Sequence, residues 1–216
     1  VLGLFAAMRE LWFARGSRFA SLAFGVLLIT GFPLLVQSRI AMLDIFMASF
    51  VLIALWMLAG AARENETARW RLPMAGVALG LSMAAKWNAL PVAVLPGLAF
   101  LIIRLRTAGA AFLTSGRAPP VRGVALLEAG LGLRLVPLLA YAAAYWPAFF
   151  YREGARPITG LVELHRVMLE MQEQPLDRHP YQSVWWQWVL NWRAIWYLYE
   201  VTDGAQRGVL LVGNPV

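Results

Sequence analysis

Long apolar blocks separated by short polar joints dominate this chain, with no sustained alternation of apolar and polar residues. Leu43 to Ala62 is the clearest block, interrupted only by Asp44 near its start. About 20 residues of helix cross a hydrocarbon layer, so this block alone predicts a membrane span. Phe19 to Val36 is another block, with Pro33 predicted to kink it near its far end. Leu72 to Ala85 is rich in Gly and Ala, which suits close helix packing. Leu90 to Ile103 is short and carries Pro91 and Pro96. Val124 to Phe150 carries Glu128 and Arg134, so its true span is expected from about Leu135 onward. Val1 to Phe13 reads as the tail of a helix, and Val209 begins a further apolar run. Hydrocarbon admits only structures that satisfy their own backbone. The pattern therefore predicts an all-α fold, a polytopic transmembrane helical bundle. Residues 1–150 form the membrane region, with about six spans or part-spans. Residues 151–216 form an extracytoplasmic, amphipathic, Trp-rich segment and the start of a later membrane region.

Composition agrees. Of 216 residues, 60% are hydrophobic and 14% charged, with a mean hydropathy of +0.61. A soluble domain carries about a quarter charged residues. The net charge of +7 comes almost entirely from arginine. Those arginines fall between apolar blocks and form no basic stripe, which argues against a nucleic-acid partner. They bear on topology instead. Arg15 and Arg18, then Arg63, Arg69 and Arg71, then Arg104, Arg106, Arg117 and Arg122 occupy alternate joints. The intervening short joints hold only Arg39 and Lys86. The positive-inside bias makes the arginine-rich side cytoplasmic. Arg39, Lys86 and the Tyr151–Glu200 segment are then expected to face outward.

There are no cysteines, hence no disulfide framework. His165 and His179 lack metal-ligand spacing, so no metal site is expected, although a need for a divalent metal stays open. No glycine-rich phosphate loop follows a strand pattern. Asn65-Glu66-Thr67 matches a glycosylation acceptor, but the expected topology puts it in the cytoplasm.

Three groups of residues could carry chemistry. Arg39 and Asp44 stand at the mouth of a membrane helix, where ionisable groups are costly and usually paired or functional. They also fit an interfacial arginine and a helix cap. Lys86 is the one lysine beside eighteen arginines, and a compact cation at the boundary suits a phosphate. With Trp87 it equally fits a membrane anchor. Five of ten tryptophans lie between 185 and 196. At helical spacing Trp185, Trp188, Trp192, Trp196 and Tyr199 share one face, as in a helix lying at the membrane surface. Trp186, Arg193, Tyr197 and Glu200 share another, which could look into a site.

Several of these stretches match a known family in order. Ser38-Arg39-Ile40-Ala41-Met42-Leu43-Asp44 resembles the second-helix motif of protein O-mannosyltransferases. Ala85-Lys86-Trp87-Asn88 resembles their Lys-Trp turn, with Ala89 in place of the usual Gly. His179-Pro180-Tyr181-Gln182-Ser183-Val184-Trp185-Trp186-Gln187-Trp188 and Arg193-Ala194-Ile195-Trp196-Tyr197 resemble the family's C-terminal membrane region. Ala194 replaces its usual Pro. Gly213-Asn214-Pro215 also fits. No long insert separates the amphipathic segment from the preceding span, which resembles the bacterial branch.

The resemblance implies a GT-C-type glycosyltransferase in the bacterial cell membrane, working on its outer face. It would transfer mannose from polyprenyl-phosphate-mannose to Ser or Thr of a secreted protein. Its partners would be membrane lipid, that donor and the acceptor protein, with the donor lipid as its only implied cofactor-like molecule. The family's acidic Asp-Glu pair, expected to hold the general base, lies upstream of the residues here. This piece is therefore expected to be inactive alone. Arg39 and Lys86 are the expected ligands of the donor phosphate, with Asp44 as an orienting or catalytic acid. Trp87, Asn88, His179, Tyr181, Trp185, Trp186, Arg193 and Tyr197 are expected around the sugar or acceptor. Another GT-C enzyme, acting on lipid A or a cell-wall glycan, would share the basic turns. A transporter or membrane scaffold is a third class, but it should show inverted repeats and broken midplane helices, which the pattern lacks.

Overall fold

A computed structural model describes residues 19, 22–23, 25–27, 32–154, 157–175, 177, 182–190 and 192–211. The chain divides into two units. One comprises Val1–Leu28 with Ala41–Tyr145, the other Ile29–Ile40 with Trp146–Val216.

The first unit is a helical bundle. Its helices are α2 (Leu43–Arg63), α3 (Ala68–Ala85) and α4 (Leu90–Ala108), followed by α5 (Leu126–Gly130), a π-helical turn (Leu131–Leu135) and α6 (Val136–Ala143). Among the described residues, three stretches are long and apolar enough to cross a membrane: Leu43–Arg63, Trp87–Ala111 and Leu126–Phe149. The polytopic helical architecture expected from the blocks is therefore present.

Helix α3 is the central element. Its buried face runs through Ala68, Leu72, Ala75, Gly76, Leu79, Gly80 and Met83. A helix enclosed by protein has little lipid to face, so it can be built from small residues and still be stable in the bundle. The closeness is measurable at its glycines. A Cβ on Gly76 would run into the Gly132 carbonyl oxygen and approach Pro137 Cδ to 3.1 Å. One on Gly80 would meet the Pro137 carbonyl and lie 2.6 Å from Ala140 Cβ. Facing it, a Cβ on Gly132 would stand 3.2 Å from the Pro73 nitrogen. The backbones of α3 and the Leu131–Ala143 segment thus nearly touch. Pro137 lacks an amide hydrogen and stands two residues after the π-helical turn, where the ladder of i→i−4 bonds is already altered.

The Val124–Phe150 block is helical from Leu126, before the Leu135 at which its membrane span is expected to begin. Its two charges are accommodated on the helix. Glu128 accepts a hydrogen bond from the Ala125 amide at 3.0 Å, satisfying a helix-start donor. Arg134 lies against Gly97 of α4, where a Cβ would be 2.7 Å from its Nε. Helix α4 runs past Ile103 to Ala108, so Arg104 and Arg106 are helical and not part of the loop.

Arg104 is fully buried. Its guanidinium donates to the Ser115 carbonyl, and to the carbonyls of Val121 at 3.1 Å and Val124 at 2.9 Å. The ring of Phe100 covers it at 5.1 Å. The residue that looked like a loop charge is the clamp that folds the 109–125 loop back on α4. At the same end, Arg71 fills the notch at Gly60 and bonds Thr67 Oγ1 at 2.8 Å and Glu64 Oε2 at 3.0 Å. Arg69 donates to the Gly123 carbonyl at 3.3 Å, and the Arg122 amide donates to Asn65 Oδ1 at 3.1 Å. The joints carrying Arg63–Arg71 and Arg104–Arg122 therefore meet at one end of this unit.

The second unit contains α1 (Phe32–Arg39), α7 (Gly160–Gln172), α8 (Trp185–Val189) and an antiparallel hairpin of β1 (Ile195–Thr202) and β2 (Ala205–Leu211). Pro33 lies in α1, and residues 28–31 before that helix lie outside the described residues. Helix α7 is amphipathic, with Arg166 bridging Glu163 at 3.0 Å and Glu170 at 3.7 Å. The continuous aromatic helix expected over 185–200 does not form. Helix α8 stops at Val189, and Trp196 and Tyr199 belong to a strand. The apolar run from Val209 is the partner strand, Val209 opposing Leu198. Ile195, Trp196, Tyr199, Val201 and Thr202 favour a strand. Asp203-Gly204, both at positive φ, supplies the two-residue turn that closes it.

Gly80→Val places methyls where α6 backbone stands and is expected to destabilise the folded protein by about 1–3 kcal/mol or more. Gly130→Ala, with open space around its Cβ, is expected to be neutral or slightly stabilising. Thermal unfolding of the full-length protein in detergent compares the two. Arg104→Leu leaves three carbonyls without their donor, and limited proteolysis is expected to cut the 109–125 loop in that variant before the wild type.

Candidate functional site at the Lys86 turn

At the opposite end of the first unit from Arg104, α3 stops at Ala85. Lys86 is extended (φ −160°, ψ 130°), and a short 3-10 turn, Trp87–Ala89, leads into α4. The Lys86 amide still bonds the Ser82 carbonyl at 3.0 Å, and the Ala89 amide bonds the Lys86 carbonyl at 3.0 Å. Ala89 is fully buried, where the family's usual residue is Gly. This makes a tight reversal that presents Lys86 and Trp87 at adjacent points.

Lys86 Nζ lies 2.7 and 2.8 Å from the two carboxylate oxygens of Asp44. Asp44 sits in the first turn of α2, where a negative charge is favoured by the helix dipole. It does not cap that helix: Met42 holds the N-cap position and no side chain caps there. Both groups are partly exposed, at 35% and 25% of the side chain. Its stabilising worth is that of a surface pair, below about 1 kcal/mol.

Trp87 reaches the other way. Its Nε1 donates to Tyr141 Oη of α6 at 2.9 Å. The Tyr141 and Tyr145 hydroxyls are 3.1 Å apart, and their rings meet edge to face with centroids 5.3 Å apart. The turn is thus tied by one side chain to α2 and by the next to α6. Asn88 is exposed.

The sequence brought Asp44, Lys86, Trp87 and Asn88 forward, and the fold brings Asp44 to Lys86 across 42 residues of chain and Tyr141 to Trp87 across 54. Tyr141 and Tyr145 were not singled out. They lie in an apolar block with no motif around them; the available signal was a pair of phenols at i, i+4 near the end of a span.

The other candidates belong to the second unit. Arg39 is exposed and ends α1. Trp185 and Trp186 are exposed in α8. Arg193 donates to the Gln182 carbonyl at 3.1 Å. Tyr197 lies in β1. His179 and Tyr181 lie outside the described residues. His165, the other histidine, bonds the Leu161 carbonyl through Nδ1 at 2.6 Å within α7. Among the described residues no group of three His, Asp or Glu side chains could hold a metal ion.

Comparison with known proteins places this geometry. Residues 2–151 match the family model of dolichyl-phosphate-mannose-protein mannosyltransferases, and residues 157–216 match that of the C-terminal four-transmembrane region of protein O-mannosyltransferases. A polyprenol-phosphate-mannose–protein mannosyltransferase of Corynebacterium glutamicum is 24% identical over 270 aligned positions, covering 99% of this chain and 51% of the relative. The chain thus spans about half the length of that curated relative. The alignment is also longer than the chain's 216 residues, so its gaps mark internal segments that this chain lacks. No solved structure matches the chain. With a family model matched over more than two thirds of its length, and with helices fit to cross a membrane, the chain belongs to the dolichyl-phosphate-mannose-protein mannosyltransferase family.

Proposed function

We propose that this chain is the part of a membrane mannosyltransferase that receives the phosphate of a polyprenyl-phosphate-mannose donor, with Lys86 as the receiving cation. The observation that carries this reading is the Lys86–Asp44 pair, a part-exposed cation held at the mouth of the bundle. The remaining activity follows the relative's name and the family resemblance. A Ser or Thr hydroxyl of a secreted protein attacks C1 of mannose, the C1–O bond to phosphate breaks, and polyprenyl phosphate leaves. The acceptor's proton goes to a carboxylate acting as general base, the role the resemblance gives to the family's Asp-Glu pair.

The charge change explains why a lysine suits this position. The donor is a phosphodiester with one negative charge. The leaving polyprenyl phosphate is a monoester that carries close to two at neutral pH. A fixed cation near that oxygen gains interaction energy as the bond breaks, which lowers the barrier and does more than bind the ground state. Asp44 holds the ammonium at the turn until phosphate shares it.

The reaction side is proposed to be the outer face of a bacterial cell membrane. Supporting this, the arginine-rich joints meet at the end of the unit opposite Lys86, as the positive-inside bias requires. Residues 1–150 are proposed as the membrane region and 151–216 as the extracytoplasmic segment with the beginning of the later membrane region. Trp87 and Asn88 are proposed to border the sugar. Arg39 as a second phosphate ligand, and His179, Tyr181, Trp185, Trp186, Arg193 and Tyr197 near sugar or acceptor, rest on motif resemblance.

Lys86→Gln in the full-length enzyme, assayed with polyprenyl-phosphate-mannose and a Ser/Thr-rich peptide, is expected to lower kcat/KM for the donor by about 10- to 100-fold, the worth of a charge-assisted hydrogen bond. Unchanged donor kinetics would remove Lys86 from the phosphate. Asp44→Asn is expected to shift the unfolding free energy by less than about 1 kcal/mol, so a thermal melt separates any kinetic effect from loss of the fold.

A further inference from the structure

The Lys86-Trp87 turn is held by two cross-helix side-chain bonds of different kinds. Asp44 holds Lys86 by charge at 2.7 Å. Tyr141 holds Trp87 by a neutral hydrogen bond at 2.9 Å. A phosphate approaching Lys86 competes directly with the Asp44 carboxylate, because both are oxyanions seeking the same ammonium. It does not compete with the phenol. As the donor binds, the first tie weakens and the second goes on holding the turn.

We propose that Tyr141 is a positioning residue for the donor-phosphate site: its hydroxyl, through Trp87 Nε1, holds the Lys86 turn in register while Lys86 transfers its charge from Asp44 to the donor. This rests on the reading of Lys86 as the phosphate-receiving cation.

Three further observations favour this assignment. The turn is short, and its backbone bonds, from the Lys86 amide to Ser82, the Ala89 amide to Lys86 and the Leu90 amide to Trp87, are internal to the α3–α4 connection. None of these anchors the turn against α6. The phenol is itself oriented. Accepting from Trp87 leaves Tyr141 its own proton to give, and the Tyr145 oxygen stands 3.1 Å away with its ring edge-on to Tyr141 at 66°. The segment that carries Tyr141 is fixed to α3 just before it, where Gly80 abuts Pro137 and Ala140. The phenol therefore springs from a rigid base one residue past a backbone contact, a firm point from which to hold a turn.

The test uses the full-length enzyme with polyprenyl-phosphate-mannose and a Ser/Thr-rich peptide, and four variants: Tyr141→Phe, Trp87→Phe, the double variant and Lys86→Gln. Tyr141→Phe keeps the ring and deletes the hydroxyl. It is expected to raise donor KM about three- to tenfold, the worth of one neutral hydrogen bond, with acceptor KM within about twofold of wild type. Trp87→Phe cuts the same bond from the other side and is expected to raise donor KM at least as much, because Trp87 is also proposed to border the sugar. The double variant is expected to be no worse than Trp87→Phe, since the bond to Tyr141 is already gone there. A merely structural tyrosine would lower the melting temperature and affect donor and acceptor alike, and that pattern overturns the proposal. Additive effects of the two single changes overturn it too. If Tyr141→Phe does not fold, Trp87→His, which keeps a ring N–H for Tyr141, is compared with Trp87→Phe: a donor KM nearer wild type in Trp87→His is expected, and equal values overturn the proposal. Lys86→Gln separates the two levels of the argument. A raised donor KM in Lys86→Gln beside a normal one in Tyr141→Phe overturns the positioning role and leaves the phosphate reading standing. A normal donor KM in Lys86→Gln overturns the phosphate reading, and the positioning role with it.

Discussion

The near-contact of two backbones, α3 against the Leu131–Ala143 segment, is the constraint on which the first unit depends. Helices in hydrocarbon gain little from hiding apolar surface, because lipid is as apolar as leucine; they gain from close packing. Gly76 and Gly80 remove the Cβ atoms that would hold the helices apart, and Gly132 does the same from the facing side. Everything at the Lys86 end follows from that approach. Lys86 and Trp87 come about two turns beyond Gly80, just past the end of α3, and Tyr141 comes directly after Ala140, which touches the Gly80 position. With bulkier residues at the crossing, Trp87 and Tyr141 could not be 2.9 Å apart.

Charge is used in two ways at the two ends of this unit. At one end arginine is consumed by the fold. Arg104 closes a loop around itself with three carbonyls, and Arg71 fills the notch left by Gly60. Planar guanidinium with several fixed donors suits this work. At the other end the chain places its single lysine, a compact cation on a flexible stem, paired with one carboxylate and part-exposed. A group that must change partner during a reaction is better served by such a pair than by a fully enclosed arginine.

The membrane character and helical class were legible because block length and hydropathy act along the chain. The Lys86 turn was legible because a lone lysine among arginines, beside Trp87, is unusual in itself. What escaped was whatever depends on pairing across the fold. Arg104 read as a loop charge, since only the returning 115–124 carbonyls make its burial tolerable. Asp44 read as a helix cap or an arginine's partner, and its carboxylate is taken by Lys86 42 residues away. Tyr141 sits in an apolar run that gives no hint of the Trp87 indole. Residues 185–200 were misread for a different reason. Their tryptophans fit a helical period, but the Asp203-Gly204 turn and the β-branched and aromatic run before it outweigh that period, and a turn signal placed after the segment was passed over.

The π-helical turn at Leu131–Leu135 has a consequence for angular phase. A π turn takes in one residue more than an α turn, and each residue advances an α-helix by about 100°. The half-helix after it is therefore rotated by about that amount from where an unbroken α-helix starting at Leu126 would have carried it. Tyr141 and Tyr145 both lie in or just after that rotated half. One extra residue within a span thus acts as a dial, turning Tyr141 toward the indole of Trp87 without changing any residue near the site.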